Sequence, residues 1–177
     1  MKTTRKASQP DLPPELAWLR LTGLLRREVQ LFEKLLRLLL HQREAVVLAN
    51  VSAYQTVVLE QIHLLQELDQ VQSELVEERT RVARAHELPE DVTVTALAVV
   101  APEEFQGELK RLASKVRALA EESAQLNARN RRLLELLGEI RMSQFDVMVR
   151  AGKEDPVYRS FEATRRATDP ALWEAVA

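Results

Sequence analysis

Apolar side chains between residues 102 and 149 recur at alternating steps of three and four: Phe105, Leu109, Leu112, Val116, Leu119, Leu126, Leu133, Leu137, Ile140 and Val147. That spacing puts them on one narrow stripe of an α-helix, the seam of a coiled coil or a long bundle. Three polar residues, Ser123, Asn130 and Gln144, fall on the same stripe. Pro102, Glu103 and Glu104 suit a helix start, where proline's missing N–H is not needed and acids meet the positive end of the dipole. Gly152, past the other end, is expected to supply a left-handed cap. At about 1.5 Å per residue this rod is roughly 70 Å long, and it needs partner helices along its length.

Two further helical segments come first. From Glu15 to Ala49, Leu21, Leu25, Phe32, Leu35, Leu39 and Val46 form one line with Leu24, Leu31 and Leu38 beside it. So wide an apolar face predicts burial against two neighbours. Asp11, Pro13 and Pro14 mark the start of this helix. Asn50-Val51-Ser52 reads as a short break, with Ser52 capping the next helix. From Ala53 to Ala85 a heptad runs through Tyr54, Val57, Gln61, Leu64, Leu68, Val71, Leu75, Glu78 and Val82. Leu88-Pro89-Glu90-Asp91 closes it. The stretch Val92 to Val100 is rich in β-branched residues, but a lone strand would have no partner; a short helical or extended connector lying on the bundle is expected.

The pattern therefore predicts an all-α protein. Its domain spans residues 12–151, with helices at 13–49, 53–86 and 102–150 and a connector at 88–101. Three long helices with short connections form an elongated antiparallel bundle, or an open coiled-coil hairpin that a bound partner completes. Residues 1–11 are polar and basic and are expected to be disordered. The tail, residues 152–177, carries two proline-marked helix starts, Asp155-Pro156 and Asp169-Pro170. Few but large apolar residues follow them: Val157, Tyr158, Phe161, Leu172, Trp173 and Val176. Burying these yields about 10 kcal/mol gross, at roughly 1.5–3 kcal/mol each. Ordering the backbone costs about 1–2 kcal/mol per residue. The tail is thus expected to be loosely ordered alone and to become helical on a surface.

Composition narrows the function. Of 177 residues 29% are charged and 46% hydrophobic, with 4 Gly and no Cys. This suits elongated helices and excludes disulfide and thiolate chemistry. A net charge of -2 gives no general attraction to nucleic acid or to anionic lipid. The longest apolar run, Ala96 to Ala101, falls far short of the roughly 18 residues of a membrane span. Basic Met1 to Ala7 is followed by Ser8 to Pro14 rather than by the apolar core of a signal peptide. A soluble, cytoplasmic protein without membrane insertion or nucleic-acid binding is expected.

Candidate chemistry is sparse. Glu60 and His63 share one helical face, as in di-iron bundles, but such a site needs a second Glu-x-x-His motif and two more inward carboxylates. His41 has Leu38, and His86 has Ala83, at the required position. An exposed pair is expected, with no metal and no cofactor. Arg129, Arg131 and Arg132 spread around a helix near Glu135, and with Arg165-Arg166 they read as solvated faces. No phosphate-binding loop, nucleophile arrangement or cysteine ligand set is present, so no enzyme is expected. Asn130 on the apolar seam has two readings: a buried amide that fixes register, or a hydrogen-bonding position facing a partner helix. Phe161 and Trp173 either dock on the bundle or anchor another protein.

The run Leu126-Asn127-Ala128-Arg129-Asn130-Arg131-Arg132-Leu133-Leu134 resembles the Leu-Asn-x-x-Asn-x-x-Leu-Leu signature of FlgN-type flagellar export chaperones. The likeness extends through the connector Val94 to Pro102, the stretch Leu59 to Leu65, and Gln42 to Ala45 before the first break, covering roughly residues 15–150. It implies a cytoplasmic, non-enzymatic chaperone. Such a protein holds the terminal helical segment of hook-associated (hook–filament junction) proteins, prevents premature assembly, and delivers them to the type III export gate. In that family the C-terminal tail contributes to client and gate contacts. Asn127 and Asn130 carry over by motif; the tail departs from the Gly-containing ends of that family, and its individual residues do not carry over. The candidate partner-binding residues are Leu126, Asn127, Asn130, Leu133, Leu134 and Leu137, with Tyr158, Phe161, Leu172 and Trp173 in the tail. The expected partners are a junction protein and an export-gate component, and weak self-association is compatible with the seams.

Overall fold

The computed structural model describes residues 14–154. The basic stretch 1–11 and the tail residues Tyr158, Phe161, Leu172 and Trp173 lie outside the described residues. The described secondary structure is helical throughout: α1 (Pro14–Val47), α2 (Val51–Ala85), α3 (Val94–Val100) and α4 (Glu103–Glu154). There are thus four helices among the described residues, because the connector contains a helix of its own. Thr93 caps α3 by accepting from the Ala96 N–H at 3.2 Å, and Leu97 and Ala98 are fully buried. Burial of this face overrides the strand preference of its β-branched residues.

The first break is built differently from the sequence expectation. Asn50, not Ser52, caps α2, its side-chain oxygen accepting from the Ala53 N–H at 3.0 Å. Ala49 sits in the left-handed region at φ 51°, so that Asn50 N–H reaches Ala45 O and Ala49 N–H reaches Val46 O. The end of α2 repeats the motif. Glu87 has φ 56°, Leu88 N–H reaches Ala83 O, and Glu87 N–H reaches Arg84 O. These bonds satisfy carbonyls that a helix end otherwise leaves unpaired. Gly152, by contrast, lies inside α4 rather than capping it.

The chain divides into two units, one ending at Asn130 and the other beginning at Arg131. In the first, Trp18, Leu21 and Leu25 of α1, Leu64, Leu68, Val71 and Leu75 of α2, Leu97 of α3, and Leu109 and Leu112 of α4 belong to one buried cluster. All nine α2 heptad positions, Tyr54 to Val82, are buried or half-buried. Trp18 is 1% exposed, and its ring stands 5.4 Å from that of His86, the residue capping the C-terminus of α2.

Polar pairs mark the register. Between α1 and α2, Gln42 donates to Gln61 at 3.3 Å, Gln72 donates to Glu28 at 3.1 Å, and Arg20 lies 3.5 Å from Glu78. Between α1 and α4, Arg26 donates twice to Glu108 at 2.9 Å, Lys115 meets Glu33 at 2.7 Å, and Asn130 meets Leu39 and Gln42.

The second unit carries the rest of α4. Leu133 and Leu137 are half-buried, while Leu134, Leu136, Ile140, Met142, Phe145, Val147 and Met148 are exposed. The seam positions Ile140, Gln144 and Val147 are therefore exposed, contrary to the expectation of packing along the whole rod. Burial of a seam needs a facing helix, which regular spacing alone does not supply.

Candidate functional site

Asn130 organises the polar centre of the first unit. It is 1% exposed, and its side-chain amide donates to Leu39 O at 2.7 Å and to Gln42 Oε1 at 3.0 Å. Gln42, itself buried, passes a hydrogen bond to Gln61 Oε1. A relay of three carboxamides thus joins α4, α1 and α2 in one layer of a mostly apolar seam. Such a layer restricts pairing to the register in which every member finds its partner.

Beside this layer lies a cleft of about 250 Å³. Phe32, Leu35 and Leu39 of α1, Gln61, Leu65 and Leu68 of α2, and Ala120, Ser123, Ala124 and Asn127 of α4 line it. The opening follows from the sequence of α4, which places Ala120, Ser123 and Ala124 between bulkier seam residues, Val116 and Leu119 before them and Leu126 after. Small side chains leave a gap where leucines would interdigitate. Gln61 Nε2 and Ser123 Oγ are buried without a hydrogen-bond partner among the described residues, as is Asn130 Oδ1 in the adjoining layer. Among the described residues, no charged side chain lines the cleft.

The two asparagines of the sequence motif separate here. Asn130 is buried in the relay, whereas Asn127 is exposed and lines the cleft. Leu126, Leu133 and Leu137 are half-buried and Leu134 is 36% exposed. The last three belong to the second unit, so the structure does not gather all six α4 candidates into one pocket. Sequence reasoning missed Gln42 and the apolar lining contributed by α1 and α2. The visible signal for the cleft was the run of small residues at 120, 123 and 124.

Titratable groups stand apart from this lining. Burial pushes the Glu28 carboxyl above its ordinary value, partly offset by the hydrogen bond from Gln72. Lys115 draws Glu33 below its ordinary value, through a hydrogen bond and charge attraction. Glu60 and His63 are both exposed, and no group of His, Asp or Glu among the described residues is arranged to hold a metal ion. No described helix is long and apolar enough to cross a membrane.

A comparison with protein families matches residues 19–160, most of the chain, to the family described as FlgN protein. No curated protein and no solved structure matches. The matched stretch contains the polar relay, the cleft and the Asn127/Asn130 motif. On the strength of that match the chain belongs to the FlgN family, a family of flagellar export chaperones rather than of enzymes.

Proposed function

We propose that the chain is a cytoplasmic export chaperone. In this reading it holds the terminal helical segment of a hook-associated junction protein, prevents premature assembly, and presents the client to the type III export gate. Family membership supports the general role, and the uncharged cleft carries the assignment of the binding surface. The pairs Gln42–Gln61, Glu28–Gln72 and Arg20–Glu78 run in opposite directions along α1 and α2, while those to α4 run in the same direction. We read this as an up-down-up bundle in which α2 and α4 wall the cleft and α1 floors it. An apolar client helix laid between α2 and α4 would complete a fourth position, the helix-in-groove mode of recognition.

Asn127 contacts the client at the cleft in this scheme, and Leu126, half-buried outside the cleft lining, is a further proposed contact. Leu133, Leu134 and Leu137 offer it further apolar surface, and Tyr158, Phe161, Leu172 and Trp173 act as tail anchors. Asn130 serves mainly by holding the register. The test is co-purification with the C-terminal segment of a junction protein from the same organism, followed by light-scattering mass. A one-to-one complex supports the reading. Removing residues 153–177 should then leave the bundle folded and weaken binding about tenfold or more, the loss of one good anchor; unchanged affinity in calorimetry refutes the tail's part.

The exposed row Ile140, Phe145, Val147 and Met148 favours a second reading, a self-associating structural coiled coil. Failure to bind client, together with a stable self-dimer in sedimentation, would select it.

A further inference from the structure

We infer that the cleft selects its client helix by a neutral carboxamide, a Gln or Asn flanked by apolar residues, seated against Ser123 and Gln61. The inference rests on the chaperone reading and adds the chemistry of what is recognised. The volume of about 250 Å³ falls just below the roughly 300 Å³ at which small-molecule pockets begin. It suits a few side chains of an overlying helix rather than a separate metabolite. Most of the lining is aliphatic or aromatic, so most of what enters must be apolar.

The polar exceptions are specific. Ser123 is 4% exposed, with its hydroxyl unpartnered, and Gln61 Nε2 is a second buried donor without an acceptor. The Gln61 carbonyl is already engaged by Gln42, which leaves its N–H groups as the unmet function. The Ser123 hydroxyl hydrogen can rotate towards an arriving acceptor. Asn127 is exposed on the same lining and adds an amide with both a donor and an acceptor. Both donors are already shielded and unpaired in the free chain, so a guest oxygen reached by rotation of the Ser123 and Gln61 side chains gains bonds that a purely apolar guest cannot make. A carboxylate is disfavoured, because the lining contains no cation to offset its desolvation. A carboxamide supplies the acceptor without the charge, and its own N–H groups suit the Asn127 oxygen. A site built to hydrogen-bond a guest discriminates strongly against an analogue lacking that group.

The experiment uses the full chain and the C-terminal segment of the junction protein, titrated by calorimetry. Each Gln or Asn on the apolar face of that segment is changed in turn to Leu and to Glu. At one position both changes should weaken binding to the unaltered chain about tenfold. Against the Ser123→Ala/Gln61→Leu chain the Gln-to-Leu loss should disappear. Ser123→Ala alone removes only an unpartnered hydroxyl and provides a folded control, verified by its thermal melt, that should remove part of the coupling. Equal losses against both chains, no sensitive position, or a Glu variant as tight as the original would overturn the inference and leave the chaperone reading intact. A segment that fails to bind the unaltered chain overturns both.

Discussion

Asn127 and Asn130 are the same residue type three positions apart in one motif, and the structure places them in opposite environments, one exposed and one buried. Asn130→Ala deletes two neutral hydrogen bonds, to Leu39 O and Gln42 Oε1. At about 0.5–1.5 kcal/mol each these are worth about 1–3 kcal/mol. The change also strands the Gln42 carbonyl at a residue 8% exposed, a penalty of about 1–3 kcal/mol that partly overlaps the first. The expected loss is about 2–4 kcal/mol, a large share of the 5–15 kcal/mol of a typical domain. Asn130→Leu refills the space and recovers some apolar burial, so it should fall between the alanine variant and the original. Asn127→Ala removes an exposed side chain and should change stability by less than about 0.5 kcal/mol while weakening client binding. Urea unfolding followed by circular dichroism, with midpoint and slope both fitted, measures all three. If Asn130→Ala falls within about 0.5 kcal/mol of the original, or Asn127→Ala loses as much as Asn130→Ala, the relay does not hold the bundle and the division of roles is wrong.

Three further outcomes are expected. Glu28→Gln should raise the melting temperature at neutral pH. A carboxyl whose folded pKa is raised contributes stability below its ordinary value of 4.5 and loses it as pH rises through the folded value, so the advantage should vanish below 4.5; a constant difference across pH contradicts this. Glu78, 1% exposed, lies 2.7 Å from Arg81 and 3.5 Å from Arg20, whose side chains are 34% and 51% exposed. Glu78→Leu should therefore be neutral or stabilising by about 1–4 kcal/mol, whereas Arg20→Ala with Arg81→Ala should lose about 3–5 kcal/mol; the reverse order in urea midpoints rejects the account. Ala49→Gly relieves a left-handed backbone of about 1–2 kcal/mol against about 0.5–1 kcal/mol of added chain entropy, a net gain of about 0.5–1 kcal/mol, and a lowered thermal midpoint counts against it.

The heptads of α1 and α2 and the first half of α4 were legible because helical period and burial are the same signal: each apolar step of three or four returns to the face that meets a neighbour. The α2 seam is the clearest case, since even Gln61 and Glu78 occupy the inward positions that spacing assigns them. Helix caps were less legible. The two left-handed caps fall on Ala49 and Glu87, residues with no intrinsic preference for that conformation, and the chain adopts it there because the following residue closes the helix end. The glycine that looked like a cap continues the helix instead.

Periodicity cannot count neighbours. By itself the sequence determined which side chains lie on a common helical face, that the three long elements are helices, and that a polar amide interrupts a leucine seam. Tertiary structure decided which parts of those faces find a partner. Trp18 is buried with α2 beside it, Ile140 and Val147 are exposed although their spacing is as regular, and the motif divides into a buried Asn130 and an exposed Asn127. Periodicity is a property of one helix, whereas burial and hydrogen-bond satisfaction require a second helix at the right distance, and in the first unit the small residues of α4 open that distance into a cleft.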